Sequence, residues 1–310
     1  MRAVVTADLG SPAALADVDL PTPGPGEMRI KVRASSLNGF DNAMVNGWIA
    51  QFMEHRYPAT LGRDFAGTVD EVGEGVTAYA PGDHVFGVVL TQPLHAGGFA
   101  EYLVIPEDHN VAPIPDGLDH STAGALGLAG SAGIACLEAI QPTSGETVLV
   151  SGATGGVGAV FSQLAAARGA TIIATAKPGE EEAYVREHGA TYSVDYTGDL
   201  AAQVRAIAPD GVDAVVHLAG DPVALASLLK SGGRFTTLLN GDPGQDADRG
   251  ISSSPTMATP HRAVLERLAG DVVAGRIRVP VQRTYALAEV PQAFADFAAG
   301  TIGKLAVTID

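Results

Sequence analysis

The segment Thr-Val-Leu-Val-Ser-Gly-Ala-Thr-Gly-Gly-Val-Gly, residues 147–158, joins a short apolar run to a glycine-rich turn. The run at 148–150 is typical of a strand buried in a parallel sheet, and the residues after the turn show helical periodicity. Gly155 and Gly156 are expected to take backbone angles closed to other residues and to let a pyrophosphate approach, while Gly158 lets the helix pack closely. Because N–H groups at a helix start attract anions, the segment predicts a dinucleotide-binding site. Its expected contacts are Thr154, Gly155, Gly156 and Val157.

The strand after this helix bears on the choice of cofactor. It is predicted at 171–176 and ends at Ala176 and Lys177. An acidic residue there would bind the ribose 2′-hydroxyl of NAD, whereas a lysine supplies positive charge for a 2′-phosphate. We therefore predict NADP (NADPH), with Tyr196 as a further hydroxyl contact. The alternatives are that Lys177 is a solvated loop residue beside the acidic run 180–182, and that Tyr196 only packs.

Charge and cysteine content exclude several classes of protein. The chain has 310 residues and a formal net charge of −16, so it lacks the basic stripe that a nucleic-acid site needs. Its single cysteine, Cys136, allows no intramolecular disulfide, which suits a reducing compartment. Polar residues interrupt the first stretch, and no apolar run approaches membrane-spanning length. We expect a cytoplasmic protein with no nucleic-acid or membrane partner.

The pattern of predicted secondary structure changes twice along the chain. Up to about residue 118, short strands alternate with glycine and proline turns, which predicts a β domain. Its expected strands are 2–6, 28–34, 65–72, 84–89 and 101–105. From about 120 to 275, strands alternate with helices, which predicts a parallel sheet. Its expected strands are 147–151, 171–176, 192–194, 214–218, 234–239 and 251–258, and a helix follows at 260–274.

The end of the chain returns to the β pattern, with strands expected at 279–285 and 305–309. We therefore predict an α/β protein with two domains. The β domain is split between 1–119 and 276–310, and the parallel-sheet domain spans 120–275.

Six motifs occur in a fixed order along nearly the whole chain. They are Ala34-Ser-Ser-Leu-Asn-Gly-Phe-Asp41, Leu61-Gly-Arg-Asp-Phe-Ala-Gly67, Gly82-Asp-His-Val-Phe-Gly87, Gly97-Gly-Phe-Ala-Glu-Tyr102, Leu126-Gly-Leu-Ala-Gly130 and Gly155-Gly-Val-Gly158. In this order they resemble the medium-chain dehydrogenase/reductase superfamily, and within it the zinc-independent, zeta-crystallin-like quinone oxidoreductase branch. The resemblance implies a GroES-like β domain that holds substrate, a doubly wound Rossmann domain that holds NADPH, and a cleft between them.

Three positions argue against a catalytic zinc ion. By this resemblance its ligands would lie near positions 38, 63 and 128, which hold Asn38, Arg63 and Leu128. An amide, a guanidinium and an alkyl chain make no zinc site, and the eight histidines are scattered. Without a Lewis acid, hydride transfer suits an electron-poor acceptor such as a quinone or a conjugated enone. We predict metal-free reduction of such a small molecule.

The resemblance also implies roles for single residues. Asn38 is the expected hydrogen-bond donor beside the nicotinamide, Asp41 is expected to orient the ribose or hold the loop, and Tyr57 to line the substrate cleft or donate a proton. The alternatives are helix capping for Asn38 and Asp41, packing for Tyr57, and a solvated strand end for Lys304. Loop 240–250 is expected to affect specificity. Further expected cofactor contacts are Ser131, Leu218, Ala219, Thr237, Leu238, Thr256, Met257 and Lys304.

Three functions are compatible with these residues. The first is NADPH:quinone oxidoreductase activity, and the second is reduction of the double bond of an enone or 2-alkenal, which the sequence does not separate from the first. The third is non-catalytic binding of NADPH, which the same fold could host. We also expect a homodimer, because an exposed last strand at 251–258 can pair across a two-fold axis.

Overall fold

The chain forms two units, one built on mostly antiparallel sheets and the other on a parallel sheet. The computed structural model describes residues 1–239, 241, 244 and 249–310. The first unit comprises Met1–Leu128, Pro260–Ala274 and Val281–Asp310, and the second comprises Ala129–Thr259 and Gly275–Pro280. Most of the predicted specificity loop, 240–250, lies outside the described residues. The division of substrate and cofactor between domains stays a prediction.

The first unit contains ten strands and several short helices, numbered here along the whole chain. Its strands are β1 (Arg2–Thr6), β2 (Ala14–Asp17), β3 (Glu27–Leu37), β4 (Ala59–Thr60), β5 (Asp64–Val72), β6 (His84–Val88), β7 (Tyr102–Pro106), β8 (Val111–Pro113), β15 (Val281–Ala286) and β16 (Lys304–Thr308). Its helices are α1 (Gly39–Val45), α2 (His120–Ala123), the start of α3 (Gly127–Ile140), α8 (Arg262–Val273), α9 (Val290–Ala299) and the 3-10 helix Leu287–Glu289.

Strand β3 is the centre of the first unit, because it pairs antiparallel with β5, β7 and β16. Its alternate residues Met28, Ile30 and Val32 are buried in the apolar core, as expected for a strand with one face on the core. The larger sheet has the order β15-β16-β3-β5-β6-β8, and β2-β1-β4 form a second sheet. Because β16 pairs with β3, the end of the chain lies in the same sheet as strands from the first third of the sequence.

Short elements of the first unit escaped the sequence analysis. Helix α1 spans seven residues within a region expected to contain only strands, and β2, β4 and β8 have two to four residues each. Such elements are too short to show a helical or strand period.

The second unit alternates parallel strands with helices, as predicted. Its strands are β9 (Thr147–Ser151), β10 (Thr171–Thr175), β11 (Tyr192–Val194), β12 (Val212–His217), β13 (Leu229–Thr237) and β14 (Ser252–Pro255). Besides most of α3, its helices are α4 (Gly156–Ala167), α5 (Glu180–Glu187), α6 (Leu200–Ile207) and α7 (Pro222–Ala226). The sheet order β11-β10-β9-β12-β13-β14 is that of a Rossmann fold, which confirms the fold class.

None of the helices in the described ranges is long and apolar enough to cross a membrane.

The turn between β9 and α4 needs glycine at Gly152, which was not expected, and at Gly158, where close packing was predicted. Gly155 has a φ of −81° and Gly156 begins α4, so the expectation that both take unusual backbone angles is wrong. Gly152 has the left-handed φ of +68°. At Gly158 a Cβ atom would lie 2.7 Å from Ala153 Cα and 2.8 Å from the Gly152 carbonyl oxygen, because helix and turn touch there. Gly158 therefore fixes how closely α4 follows the turn.

Gly158→Ala is expected to lower the thermal unfolding midpoint by about 2–8 °C, because backbone atoms must move to admit the methyl group. Gly155→Ala is the matched control, since its Cβ would meet its nearest neighbour at 3.6 Å. Its midpoint should change less. Scanning calorimetry without cofactor measures both variants, and equal losses would contradict the steric role of Gly158.

Candidate active site

Charged and polar side chains gather inside the first unit, near the starts of β5 and β16 and the end of β3. They come from three separate segments of sequence and have little or no exposure to solvent. We call this group the polar cluster. Its members are Ser36, Asn38, Asp41, Arg63, Asp64 and Lys304.

Asp64 is the member with the most contacts. Its Oδ1 accepts a hydrogen bond from the backbone N–H of Leu128 at 2.7 Å, and its Oδ2 accepts from Ser36 Oγ at 2.6 Å and from Asn38 Nδ2 at 2.8 Å. These bonds replace the water that a carboxylate loses on burial. The sequence analysis missed Asp64 as a functional residue. The signal that could have found it is a carboxylate inside the otherwise apolar start of a strand.

Lys304 reaches the same carboxylate from the end of the chain. Its Nζ donates to Asn38 Oδ1 at 2.6 Å and to the Leu37 carbonyl oxygen at 3.1 Å, and it lies 3.5 Å from Asp64 Oδ2. The residue is buried, so the interpretation as a solvated strand end is wrong. Burial lowers the pKa of Lys304, while Asp64 and Asp41 act in the opposite direction.

The two charged neighbours fix the orientation of the Asn38 amide. Its Oδ1 faces Lys304, which can only donate, and its Nδ2 faces the carboxylate of Asp64, which accepts. The second Nδ2 hydrogen points to the Ser36 carbonyl oxygen at 3.3 Å, the longest bond of this amide. Both hydrogens thus have protein acceptors. The contact between Asn38 and a nicotinamide stays a prediction.

Asp41 and Arg63 form a looser pair on the other side of Asn38. Asp41 Oδ2 accepts from the Asn38 backbone N–H at 2.9 Å, which is the capping contact given above as the alternative. Asp41 Oδ1 lies 3.7 Å from Arg63 Nε, too far for a hydrogen bond. Burial raises the pKa of Asp41 to about 6, in spite of the opposing charge of Arg63. The Arg63 guanidinium donates to the carbonyl oxygens of Thr60, Val89 and Ala96.

Positions 38, 63 and 128, where zinc ligands would be expected, lie together at this cluster. Asn38 Nδ2 and the Leu128 N–H both donate to Asp64, and Arg63 lies beside Asp41. Within the described ranges of the chain, no three His, Cys, Asp or Glu side chains gather in a way that could hold a metal ion.

Tyr57 has no hydrogen bond to the polar cluster among the described residues. Its ring packs against the apolar core of the first unit and stacks on His55, with 5.8 Å between ring centroids. Its buried hydroxyl has no partner in the described part of the chain. Burial raises the pKa of Tyr57, so the group stays a protonated donor at neutral pH. Its catalytic role stays a prediction.

In the second unit, several predicted cofactor contacts lie at the carboxyl edge of the sheet. The Gly152 N–H donates to Thr175 Oγ1 at 3.0 Å, and the Leu218 N–H donates to Ser151 Oγ at 3.2 Å. A Cβ on Gly152 would touch Leu218 and Ala219 at 3.1–3.2 Å, so the turn and the end of β12 lie together. Ser151 and Thr175, which sequence reasoning overlooked, hold this edge in place.

The ends of β13 and β14 continue the same edge. Thr237 Oγ1 lies 2.9 Å from His217 Nδ1 and accepts from the Leu239 N–H at 3.0 Å. The Thr256 N–H donates to the Thr237 carbonyl oxygen at 2.9 Å, so this group is already used within the sheet. Met257 is 81% exposed. Of the other predicted contacts, Leu238 is half-buried and Ser131 is buried within α3.

Lys177 and Tyr196 lie together beyond the end of β10. The ammonium of Lys177 is 5.2 Å from the Tyr196 ring centroid and 3.8 Å from Glu181 Oε1. The Tyr196 hydroxyl donates to the same Glu181 oxygen at 3.2 Å. Buried Ala176 donates its N–H to the Val194 carbonyl oxygen. The structure thus unites the two residues predicted to bind a 2′-phosphate, and it adds a carboxylate between them.

Comparisons with known proteins agree with this architecture. Residues 24–116 match the family model "alcohol dehydrogenase GroES-like domain", and residues 188–307 match "zinc-binding dehydrogenase". A quinone oxidoreductase from Pseudomonas aeruginosa is 31% identical over 297 residues, which cover 89% of this chain and 89% of the relative. The chain belongs to the quinone oxidoreductase family of the medium-chain dehydrogenase/reductase superfamily.

Solved structures of this superfamily match the whole chain. The quinone oxidoreductase from Coxiella burnetii is 26% identical with a TM-score of 0.91, and covers 100% of this chain and 99% of its own. A mycobacterial protein solved in complex with NADPH is 27% identical with a TM-score of 0.86, and covers 99% and 100%. This oxidoreductase therefore has a fold that binds a nicotinamide cofactor.

Asp41 should give the stability of this quinone oxidoreductase family member a distinct pH dependence. Its pKa is 3.8 in an ordinary setting and about 6 in the fold. The folded state therefore binds the proton more tightly, and the stability present below pH 4 is lost as the pH rises through 6. Relative to Asp41→Asn, the wild type should gain about 2 kcal/mol in free energy of unfolding between pH 6 and pH 4.

Urea unfolding at pH 4, 5 and 6 measures this difference. Carboxylates that do not interact with Asp41 titrate alike in both proteins and cancel. Parallel pH profiles for wild type and Asp41→Asn would show that Asp41 keeps an ordinary pKa in the fold.

Proposed function

We propose that this protein is an NADPH-dependent oxidoreductase that transfers a hydride to a quinone without a metal ion. The observation that carries the proposal is the polar cluster. At the positions where zinc ligands would be expected, it has Asn38, Arg63 and the backbone N–H of Leu128, and these groups lie beside the carboxylates of Asp64 and Asp41. An amide and a guanidinium are not zinc ligands, and Lys304 adds a cation at the same place. A quinone suits such a site because it accepts hydride without a Lewis acid.

The residues at the sheet edge of the second unit fit an adenine dinucleotide. No side chain caps α4 at Gly155, so the N–H groups of its first turn suit the oxygens of a pyrophosphate. Ser151 and Thr175 hold the turn, while Leu218, Ala219 and Thr237 would follow the cofactor along the edge. A nicotinamide bound there supplies the hydride. The NADPH complex of the mycobacterial relative supports this choice of cofactor.

Within the polar cluster, the Asn38 amide and the Lys304 side chain are slightly exposed to solvent. Asn38 is 7% exposed and Lys304 4%, whereas Asp41, Arg63 and Asp64 are fully buried. The Asn38 hydrogen that now points to the Ser36 carbonyl oxygen at 3.3 Å is the donor for the acceptor oxygen, because this is the weakest bond of the amide. Lys304 and Asp64 hold the amide in that orientation. Charge that develops on the substrate oxygen would be stabilised by this donor and the nearby ammonium.

Three further features complete the proposal. Tyr57 lines the substrate site with a hydroxyl that has no partner among the described residues, and Asp41 holds the loop that carries Asn38. A homodimer would form through β14, whose four residues are all exposed.

The purified protein tests the reaction directly. We expect it to oxidise NADPH with 9,10-phenanthrenequinone, to keep that activity after EDTA treatment, and to use NADH less well. Faster turnover with a simple enone would favour the double-bond reductase instead. Tight NADPH binding with no turnover across quinones and enones would indicate a non-catalytic protein.

Asn38→Ala should lower kcat about 100-fold, because it removes the donor to the developing charge. Asn46→Ala is the control, since Asn46 is an exposed amide at the end of α1 that bonds to Asn42. It should leave kcat unchanged. NADPH binding, measured by fluorescence, should stay within about twofold in both variants. A full-rate Asn38→Ala enzyme would remove Asn38 from the mechanism.

Lys177→Ala should raise the KM for NADPH about fivefold and change the KM for NADH less than twofold, since only NADPH carries the 2′-phosphate. Lys230→Ala removes a lysine that pairs with Asp213 elsewhere in the second unit and serves as the control. Steady-state kinetics with both cofactors measure the effect. Equal changes for NADPH and NADH would contradict a phosphate contact.

A further inference from the structure

Glu181 occupies the space between the two residues that suit a 2′-phosphate. It is the second residue of α5 and lies four positions after Lys177, at the end of the connection from β10. Its Oε1 accepts from the Tyr196 hydroxyl at 3.2 Å and lies 3.8 Å from Lys177 Nζ. Its Oε2 accepts from the Lys177 backbone N–H at 2.8 Å. One carboxylate therefore engages the hydroxyl, the ammonium and the backbone donor of this pair.

The surroundings hold the Glu181 side chain in this position. It is 18% exposed, whereas the Lys177 side chain is 51% exposed. Lys177 lies against the Tyr196 ring, and its pKa is raised chiefly by Tyr196 and then by Glu181. Asp195 is a further anion near Lys177, and it accepts from the Thr197 N–H and hydroxyl.

A carboxylate at this place has opposite effects on the two cofactors. The 2′-phosphate of NADPH needs the same donors and is repelled by the charge of Glu181, because like charges in close contact oppose binding. The ribose 2′-hydroxyl of NADH is neutral and can donate to a carboxylate. In Rossmann folds an acidic residue after the second strand makes that contact. Here the acidic residue comes from the first turn of the following helix.

We propose that Glu181 sets the choice between NADPH and NADH by competing with the 2′-phosphate for Lys177 and Tyr196. This inference rests on the proposed function as a nicotinamide-dependent enzyme. It assigns the preference for NADPH and the limit on that preference to different residues. Lys177 and Tyr196 attract the phosphate, and Glu181 reduces the preference that they would otherwise give.

Binding of two cofactor fragments isolates the effect from catalysis. Adenosine 2′,5′-bisphosphate carries the 2′-phosphate, and 5′-AMP lacks it. By titration calorimetry, Glu181→Gln should bind the bisphosphate about five- to tenfold more tightly than the wild type does. Binding of 5′-AMP should stay the same or weaken, because the amide is a poorer acceptor for the 2′-hydroxyl.

Glu180→Gln is the matched control. Glu180 is the neighbouring residue in the same helical turn, and Glu180→Gln changes the net charge by the same amount as Glu181→Gln does. It should shift binding of the bisphosphate less than twofold. The double variant Glu181→Gln/Lys177→Ala should lose most of the gain, because the released donor is then absent. Circular dichroism of each variant confirms that the fold is kept.

Several outcomes would overturn the inference. An unchanged affinity of Glu181→Gln for the bisphosphate would mean that Glu181 does not compete. Equal gains in Glu180→Gln and Glu181→Gln would assign the effect to net charge alone.

The same titrations separate this inference from the proposed function. If Glu181→Gln binds the bisphosphate more tightly but the protein reduces no quinone or enone, the result would support the inference and contradict the proposed activity. Turnover of NADPH by a protein whose Glu181→Gln variant binds the bisphosphate no more tightly would support the proposed activity and contradict the inference. A wild type that binds neither fragment would contradict both.

Discussion

The first unit depends on the burial of the Asp64 carboxylate. A carboxylate removed from water destabilises the fold unless donors surround it, and here the donors come from β3, from the segment after it, from the start of α3 and from β16. Residues more than two hundred positions apart must therefore meet. The same requirement places Asn38 and Lys304 side by side, so the interaction that stabilises the fold also builds the candidate site. The cost of burial explains why both side chains have defined orientations.

The second unit uses smaller groups for a similar purpose. The hydroxyls of Ser151, Thr175 and Thr237 join neighbouring strand ends through single hydrogen bonds. These bonds hold the glycine turn against the end of β12, with no charged side chain among them. A rigid edge of this kind limits the freedom lost when a ligand binds. The charged groups of the proposed substrate site thus lie in the first unit, while the strand ends of the second unit offer backbone and hydroxyl groups, with Lys177 and Glu181 beyond β10.

Local pattern predicted most of the second unit, because its strands and helices are long enough to show their periods. The Rossmann order follows from β9, the turn and the alternation after it. The pattern predicted close packing at Gly158 but not the left-handed backbone of Gly152, where a Cβ would meet Leu218 and Ala219 from a distant part of the sequence. Asp64 was missed for a related reason, since a single aspartate in an apolar strand has no period and its donors lie far away in sequence.

Residue types and their spacing were enough to predict the two-domain α/β architecture, the glycine turn, the candidates Lys177 and Tyr196, and the lack of zinc-ligand types at positions 38, 63 and 128. Tertiary structure alone decided that Lys304 is buried beside Asn38 and that Glu181, rather than its acidic neighbours, stands between Lys177 and Tyr196. The physical reason is that side-chain type and spacing are local properties. Burial, orientation and competition for a donor depend on which distant segments the fold brings together.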